Sequence, residues 1–331
     1  MGSSLGSPKK LPEVDLSGKT IIVTGANTGI GYETAKSLAQ VGARVILACR
    51  SETKALEAIE RMKKEHVEEK ADAAKARVKI KVDELDLDFM TLDLGSLAST
   101  KSFAEAYRAK GLPLHVLVCN AGLIAYGTDE PTDDGFEIHF QVNYLSHFLL
   151  TLYLLPVLKS SGPESRIVSV SSLMYRFANW DVADFQTLKT RGTSKKYANS
   201  KLYQIMNMFS LSRRLDGSGV SVFSLHPGMV DTDIARRDGQ QMSGASKAVL
   251  RMLRASKIMR SSFDGALTTL HAAANPEYDG KSALYFESGK PQSLSSLPRS
   301  EEKQELIWKY SMECIKDYVT EDVLSSELTS Q

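Results

Sequence analysis

The stretch TGANTGIG, Thr24–Gly31, lies between an apolar run, TIIV, and a helical pattern, YETAKSLAQ. A strand, a glycine-rich turn and a helix therefore follow one another. Glycine allows φ > 0 and lets a phosphate approach the backbone, and a helix start offers free N–H groups and the positive end of the helix dipole. The pattern predicts a phosphate site, although glycines alone also suit a tight turn without a ligand. The spacing G-x-x-x-G-x-G differs from the common dinucleotide turn G-x-G-x-x-G.

Short β-branched runs alternate with longer helical patterns along the rest of the chain. This alternation, with nearly continuous apolar strands, predicts a parallel sheet covered by helices on both faces. We expect a single doubly wound α/β domain over 18–320 with a mostly parallel, seven-stranded sheet, a polar lead over 1–17 and a tail over 321–331. The predicted strands are 20–24, 44–49, 88–93, 115–119, 166–171, 220–225 and 282–286, and the predicted helices are 29–41, 53–78, 97–110, 131–159, 194–215 and 264–274.

Composition and charge exclude several classes of protein. The 331 residues carry 41 basic and 40 acidic side chains, so no excess of charge favours a nucleic-acid partner. The three cysteines are scattered, which indicates a reducing compartment without a disulfide framework. The N-terminal residues contain no apolar run, so we expect neither a signal peptide nor an anchor there, and a cytoplasmic location. We expect the run FLLTLYLLPVL (148–158), broken by Pro156, to be a buried helix.

The second predicted strand, RVILAC, is followed by Arg50. Dinucleotide folds that bind NAD usually place an acidic residue near this point, where it binds the ribose 2′-hydroxyl. A guanidinium instead suits a 2′-phosphate, both by charge and by its forked geometry. Arg50 therefore predicts NADP(H) rather than NAD(H), although an arginine at a strand end also occurs as a plain solvent-facing residue.

Further segments follow the glycine turn in a fixed order: DLGS (93–96), CNAG (119–122), QVNYLSHF (141–148), RIVSVSS with YANSK, and HPGMVDT (226–232). Together they resemble the short-chain dehydrogenases/reductases over residues 18–235. VILACR, TDDGFEIHFQVNYLSHFLLT and HPGMVDT are most similar to the branch of retinol dehydrogenases and WW-domain oxidoreductases, with no WW domain expected here. The resemblance implies a Rossmann fold, a nicotinamide cofactor and oxidoreductase activity.

The resemblance also implies which residues meet the cofactor. Asp93 matches the aspartate that contacts adenine, and Thr232 matches a contact to the nicotinamide amide. Cys119 stands where the family's N-N-A-G segment has its first asparagine. The implied cofactor residues are Gly25, Asn27, Thr28, Gly29, Ile30, Gly31, Arg50, Asp93, Leu94, Asn120, Ala121, Gly122, Tyr197, Lys201, Pro227, Gly228, Val230 and Thr232.

Tyr197 and Lys201 are four residues apart in a helical pattern, so they share one face of that helix. A free tyrosine has a pKa of about 10, and a nearby ammonium lowers the pKa because it favours the phenolate. Tyr197 is therefore a candidate general acid for carbonyl reduction and general base for alcohol oxidation. Taken alone, the same pair would also fit an exposed tyrosine and lysine on a surface helix.

Ser172 and Asn143 complete the set of catalytic candidates. The resemblance favours Ser172, the second serine of SVSS, as the hydroxyl that binds the substrate oxygen. Ser171 would face the opposite side if the strand continues, and a serine that caps its own turn is the alternative for Ser172. Asn143 matches an asparagine that forms a proton relay with the lysine through water, or else it is a packing amide.

The remaining polar clusters give weaker hypotheses. The histidines lack the spacing of zinc ligands, so we expect no metal. His226 is interpreted as a loop residue near the cofactor, and His139 and His147 as helix-packing residues. The acidic run 83–88 is interpreted as a solvated turn.

Two regions bear on the substrate. The loop 173–196 contains Tyr175, Phe177, Trp180 and Phe185, which form either an apolar pocket wall or anchors in the core. Residues 229–262 match the family's substrate lid, and its methionines make it adaptable. We expect a bulky apolar carbonyl or alcohol: a retinoid, steroid, isoprenoid or fatty aldehyde.

Two alternatives remain open. The basic residues of 247–260 could contact an anionic membrane surface or form a solvated helix face. A non-catalytic nucleotide-binding scaffold protein is the alternative to an enzyme, because a fold does not fix a function. The sequence leaves the oligomeric state open.

Overall fold

A computed structural model describes residues 10–125, 130–189, 192–230, 260–320 and 323. Within these residues, strands and helices alternate as the sequence predicts. The strands are β1 (Thr20–Thr24), β2 (Arg44–Cys49), β3 (Leu87–Thr91), β4 (Val116–Cys119), β5 (Ser165–Val170), β6 (Val220–His226), β7 (Leu284–Glu287) and β8 (Lys290–Pro291). The helices are α1 (Gly29–Gln40), α2 (Glu52–Ala71), α3 (Leu97–Ala109), α4 (Ser146–Ser160), α5 (Thr193–Arg214), α6 (Ser262–Ala274), α7 (Ser296–Arg299) and α8 (Glu301–Cys314).

The strands form one sheet in the order β3-β2-β1-β4-β5-β6-β7-β8. All neighbouring pairs are parallel except β7 and β8. This confirms the doubly wound Rossmann architecture, in which the strand order reverses between β1 and β4 and ligands bind at the carboxyl ends of the strands there. The sheet has eight strands rather than seven. The extra strand, β8, follows a tight turn at Ser288 and Gly289, both with positive φ. It has only two residues, too few to show an alternating pattern in the sequence.

Helices cover both faces of the sheet, as expected. Side chains alternate across each strand, so Ile21 and Val23 join one core cluster and Ile22 joins the other. The first cluster lies under α1, α2 and α6. The second lies under α3, α4 and α5, and α8 packs against α5 on the same side.

Helix α2 ends earlier than the sequence pattern predicts. The pattern extends to residue 78, but the helix stops at Ala71 and the chain turns back. Val78 and Leu85 are then buried in the core cluster under α2, and the Lys81 N–H donates to the Gln40 carbonyl at 2.8 Å. Burial of these two apolar side chains outweighs the helical propensity of the alanine- and lysine-rich stretch.

The predicted helix 131–159 begins instead at a π-helical segment, Phe140–Leu145, which runs directly into α4. Pro156 lies inside α4 and does not break it, contrary to the expectation from sequence. In the described parts of the chain, Phe140–Ser160 is the one helix long and apolar enough to cross a membrane, and 83% of its apolar window is buried inside the protein. This confirms the prediction of a buried core helix.

Helix α8 was not predicted. It is fixed to α5 by polar contacts, because Arg214 and Arg213 donate to Glu305 at 2.5 and 2.8 Å. The Arg214 guanidinium also lies 4.0 Å from the centroid of the Trp308 ring. α8 therefore forms a further layer over the helix that carries Tyr197 and Lys201.

Candidate active site

The glycine turn has the geometry of a phosphate site. Gly25 and Gly29 have φ of 65° and 60°, the left-handed region that favours glycine. A Cβ on Gly31 would lie 2.5 Å from the Gly25 carbonyl oxygen, so only glycine fits there. Helix α1 begins at Gly29, its Thr28 cap makes no side-chain hydrogen bond, and its first turn contains no acidic residue. The N–H groups at this helix start thus suit an anion.

Residues after β4 hold this turn in place. The Asn120 Nδ2 group donates to the Thr24 carbonyl at 2.9 Å. The backbone N–H groups of Asn120 and Ala121 each donate to Thr24 Oγ1 at 2.9 Å. The CNAG segment is therefore tied to the end of β1, at the point where the strand order reverses.

The other predicted cofactor residues on this side lie at the same edge of the sheet. Arg50 is exposed directly after β2, whose last residue, Cys49, pairs with Thr91 at the end of β3. Asp93 follows β3 and accepts the Gly95 N–H at 2.9 Å on its carboxylate. Leu94 is buried, and its carbonyl accepts from the Ser146 hydroxyl at 2.7 Å.

The loop after β6 returns to the glycine turn. Gly228 has φ of 92°, and Val230 forms a bridge with Arg260. A Cβ on Gly265 would lie 2.5 Å from Val230 Cγ2 and 3.2 Å from Ile30 Cγ1, so these residues are in close packing. Thr232, most of the 229–262 lid and the basic segment 247–260 except Arg260 lie outside the described residues.

Tyr197 and Lys201 lie inside the molecule, with only 7% and 2% of their surface exposed. The exposed-surface alternative for this pair is therefore wrong. The Lys201 ammonium lies 5.6 Å from the centroid of the Tyr197 ring and donates to the Val170 carbonyl at 2.8 Å and to Gln204 Oε1 at 3.0 Å. Burial lowers the pKa of Lys201 to about 7, because a desolvated ammonium is unfavourable.

Asn143 and Lys201 meet at Gly122. A Cβ on Gly122 would lie 3.2 Å from Asn143 Oδ1 and 3.4 Å from Lys201 Nζ. Asn143 is fully buried in the π-helical segment; its Oδ1 accepts the Leu123 N–H at 2.8 Å and its Nδ2 donates to Ser200 Oγ at 3.1 Å. Such widened turns are frequent at functional sites, since they free backbone groups for other partners.

The two serines after β5 face different partners, as alternation predicts. Ser171 is buried, and its hydroxyl donates to the Lys201 carbonyl at 2.8 Å. Ser172 Oγ accepts the Met174 N–H at 3.2 Å and caps a 3₁₀ turn, Leu173–Phe177. The capping alternative for Ser172 thus holds in the structure, and the hydroxyl hydrogen remains able to donate to a substrate oxygen.

Three histidines lie around this site, and the sequence pattern indicated such a position for His226 only. His226 is the last residue of β6, and its Nδ1 accepts the N–H of Leu173, the residue after Ser172, at 3.1 Å. Burial, with help from Arg260 and Arg176, lowers the pKa of His226 to about 4, so it stays neutral. His226 is thus a strand residue that orients the Ser172 turn, rather than a loop residue.

His139 lies beside Tyr197, with ring centroids 6.3 Å apart. It interacts with Glu137 through Nδ1 at 2.6 Å and accepts the Ala125 N–H on Nε2 at 3.0 Å. His147 on α4 contacts Thr24 and Asn143. Thr24 is 123 residues from His147, so no local motif could have revealed that contact.

The aromatic residues of 173–196 mostly anchor their loop. Tyr175 is buried against Tyr285 at 5.8 Å between ring centroids. Phe185 packs against Trp180 at 5.4 Å and against Tyr310 at 4.8 Å. Phe177 differs, since 68% of it is exposed, which makes it the most accessible of the four to a substrate.

Comparison with known proteins gives consistent matches. The family model for short chain dehydrogenases matches residues 19–243. Mouse retinol dehydrogenase 12 is 36% identical over 302 residues, which cover 91% of this chain and 88% of that protein. Chicken WW domain-containing oxidoreductase is 38% identical over 92% of this chain and 69% of its own length. Zebrafish polyprenol dehydrogenase is 35% identical over 91% and 88%.

A solved structure of an uncharacterised protein from Mycobacterium paratuberculosis superimposes with a TM-score of 0.68 at 26% identity, over 92% of this chain and 96% of that one. The matches support the branch inferred from the sequence motifs. The chain belongs to the short-chain dehydrogenase family of oxidoreductases.

Proposed function

We propose that this protein is an NADP(H)-dependent oxidoreductase that interconverts a bulky apolar carbonyl compound and its alcohol. The observation that carries the proposal is the meeting of Lys201 and Asn143 at Gly122, beside the glycine turn, with the Tyr197 ring centroid 5.6 Å from Lys201 Nζ. A nicotinamide dinucleotide whose phosphates are held by this turn would supply or accept the hydride. The side chains of the protein then have to bind the oxygen of the substrate and move its proton.

Tyr197 is proposed as the proton donor in reduction and the acceptor in oxidation. Lys201 supports this role while it is charged, because an ammonium beside a phenol favours the phenolate. With a lysine pKa of about 7, this support changes across the neutral range. Ser172 is proposed to donate its hydroxyl hydrogen to the same substrate oxygen, held in place by its turn and by His226.

Arg50 is proposed to select NADP(H). It is exposed at the carboxyl end of β2, and it takes part in no ion pair within the described ranges of the chain. A guanidinium that is not already paired can bind a 2′-phosphate in a forked geometry. No carboxylate stands at Cys49 or Arg50 to accept a ribose hydroxyl instead.

The size and polarity of the substrate are inferred from two sources. The names of two relatives, retinol dehydrogenase 12 and polyprenol dehydrogenase, refer to long apolar alcohols. In this chain Phe177 and Met229, which follow Ser172 and Gly228, expose 68% and 47% of their surface. Apolar side chains exposed beside a site of this kind suit an apolar ligand. We therefore propose a retinoid, steroid, other isoprenoid or fatty aldehyde.

A screen of NADPH consumption over aldehydes and ketones, including retinal and steroid ketones, tests the activity. Tyr197→Phe should reduce turnover by at least about 100-fold, since general acid–base catalysis contributes that much, while NADPH binding persists. Equal inactivity of the wild type and this variant across the panel would contradict the proposal and favour the scaffold alternative.

Arg50→Ala tests the cofactor choice. It should weaken NADPH binding by about 10- to 100-fold, the worth of a charge-assisted pair, and change NADH binding little. Arg44→Ala is the matched control, because Arg44 is the first residue of the same strand and lies at its amino end, away from Arg50. It should change the affinity for neither nucleotide. Equal weakening of both nucleotides by Arg50→Ala would reject the assignment.

We also propose a cytoplasmic protein whose basic 247–260 segment contacts anionic membranes, where apolar substrates reside. Sedimentation with anionic vesicles at physiological salt measures this. No binding under those conditions would refute it.

A further inference from the structure

A line of buried hydrogen bonds connects the glycine turn with Asn143. Thr24 Oγ1 accepts two backbone N–H groups, so its own hydrogen is available to His147 Nε2, 2.9 Å away. His147 Nδ1 lies 3.2 Å from the Asn143 carbonyl oxygen. Because a carbonyl only accepts, Nδ1 must carry the proton and Nε2 must accept from Thr24. Burial lowers the pKa of His147 to about 4, which keeps the ring in this neutral form.

Gln204 continues the line to the lysine. Its Nε2 donates to the Asn143 carbonyl at 2.8 Å, and its Oε1 accepts from Lys201 Nζ at 3.0 Å. An ammonium only donates and a carbonyl only accepts, so the direction of the Gln204 amide is fixed by its two partners. Only 3% of the surface of Gln204 is exposed, so its hydrogen bonds are shielded from bulk solvent.

The carbonyl of Asn143 is therefore held by two side-chain donors, from α4 and from α5. The resemblance to short-chain dehydrogenases implies a proton relay between this asparagine and the lysine through water. Here an amide side chain spans the two groups directly. A primary amide holds its partners firmly, but it does not exchange a proton as water does.

We propose that Gln204 is a positioning residue that, together with His147, fixes the Asn143 carbonyl and directs the Lys201 ammonium toward Tyr197. The inference rests on the proposed function of Tyr197 and Lys201. In this arrangement Lys201 acts on Tyr197 by its charge, and the proton passes between the Tyr197 oxygen and the substrate oxygen.

The groups that face Lys201 determine how its charge responds to a change at Gln204. Tyr197 lies on the same helix, at 5.6 Å from ring centroid to Nζ. From α4 the titratable group is His147, which is neutral above about pH 4. β5 contributes the Val170 carbonyl, and the chain after β4 contributes Gly122. None of these described neighbours is a carboxylate that would balance the charge of the ammonium. The loss of one uncharged hydrogen-bond acceptor should therefore lower the pKa of Lys201 further.

Gln204→Met is the test variant, since methionine matches glutamine in length but makes neither hydrogen bond. The ammonium of Lys201 loses an acceptor, so the lysine is neutral at lower pH and supports the Tyr197 phenolate less. We expect the pH profile of kcat to move up by about half a pH unit, which lowers kcat near neutral pH by about 3-fold. KM for the carbonyl substrate should stay within about 2-fold.

A second readout does not depend on turnover. The absorbance of the Tyr197 phenolate, taken as the difference between each protein and the same protein with Tyr197→Phe, should also titrate about half a pH unit higher in Gln204→Met. Gln204→Asn keeps the amide but is one methylene shorter, and it should recover about half of both effects. Gln40→Met, at a fully buried glutamine of α1 far from the site, should change neither.

Two results would overturn the proposal: an unmoved Tyr197 titration in Gln204→Met, or losses equal in the Met and Asn variants and explained by lower thermal stability. If the wild type turns over no substrate, the proposed function fails, and the phenolate titration still decides the role of Gln204.

Discussion

Replacement of Lys201 by methionine should change the stability of the nucleotide-free protein in a strongly pH-dependent way. Lys201 is almost fully buried, and burial lowers its pKa from 10.5 to about 7. This difference corresponds to a cost to the folded state of about 5 kcal/mol while the lysine is charged in both states.

The direction follows from proton binding. Below pH 7 both the folded and the unfolded lysine are charged, and the folded state carries the full cost. Between pH 7 and 10.5 the unfolded lysine keeps its proton while the folded one has released it, so the stability of the wild type rises with pH. Methionine does not titrate there. The stability of Lys201→Met relative to wild type should therefore be highest below pH 7 and fall toward pH 10.

Lost hydrogen bonds offset part of this gain equally at all pH values. The Val170 carbonyl and Gln204 Oε1 each lose a donor, at about 1–3 kcal/mol per buried acceptor. The diagnostic quantity is thus the slope with pH, and not the difference at any single pH. Urea unfolding at one-unit steps from pH 6 to 10 measures it, and a difference that stays flat over this range would refute the reasoning.

Lys36 is the matched control. It is also buried, but hydrogen bonds to Glu65 and Glu69 and the charge of Glu33 outweigh the effect of burial and raise its pKa. Its stabilising contribution is fully present below pH 10.5 and is lost only above that value. Lys36→Met should therefore be less stable than wild type, with no gain as the pH falls from 10 to 7.

Gly31→Ala should lower NADPH affinity at least about 10-fold and destabilise the fold by about 1–3 kcal/mol, because the new Cβ would press on the Gly25 carbonyl at 2.5 Å; unchanged nucleotide titration and melting curves would contradict this. Arg214 and Arg213 lower the pKa of Glu305 to about 2, so Glu305→Gln should destabilise the protein by about 1 kcal/mol at pH 7. That loss should disappear as the pH falls from about 4.5 toward 2. Glu164→Gln, which removes an exposed ion pair with Lys19 at 4.0 Å, should change stability little at either pH. An equal effect of the two variants would show that the ion pairs of Glu305 with α5 do not stabilise the protein.

Much of the framework could be predicted from local sequence. The bounds of β1 and β2 agree with the prediction, and α1 differs at its last residue only, because apolar runs bounded by glycines leave few alternatives. The separation of four residues between Tyr197 and Lys201 correctly predicted that both lie on one helix. The early end of α2 was not predictable, since it depends on where Val78 is buried.

The support around the candidate site could not be predicted. Thr24 and His147 are 123 residues apart, and Gln204 and Asn143 are 61 apart. Such contacts exist only after the sheet has assembled and the α4 and α5 helices have docked, and no periodicity records them. β8 has only two residues, too few for a pattern. Arg50, Thr232 and the other proposed cofactor contacts remain predictions that nucleotide-binding measurements can test.

The position of α8 sets a limit on how this protein can be shortened. The family match ends at residue 243, yet Trp308 packs edge-on against Phe148 at 4.8 Å between ring centroids, and the Tyr153 hydroxyl donates to the Tyr318 carbonyl at 2.6 Å. A truncation before residue 300 would strip the outer side of α4 and α5 and expose their apolar side chains to water. Helix α8 is therefore as much a part of the folded unit as the glycine turn, and expression of the family-matched segment alone should yield aggregated protein.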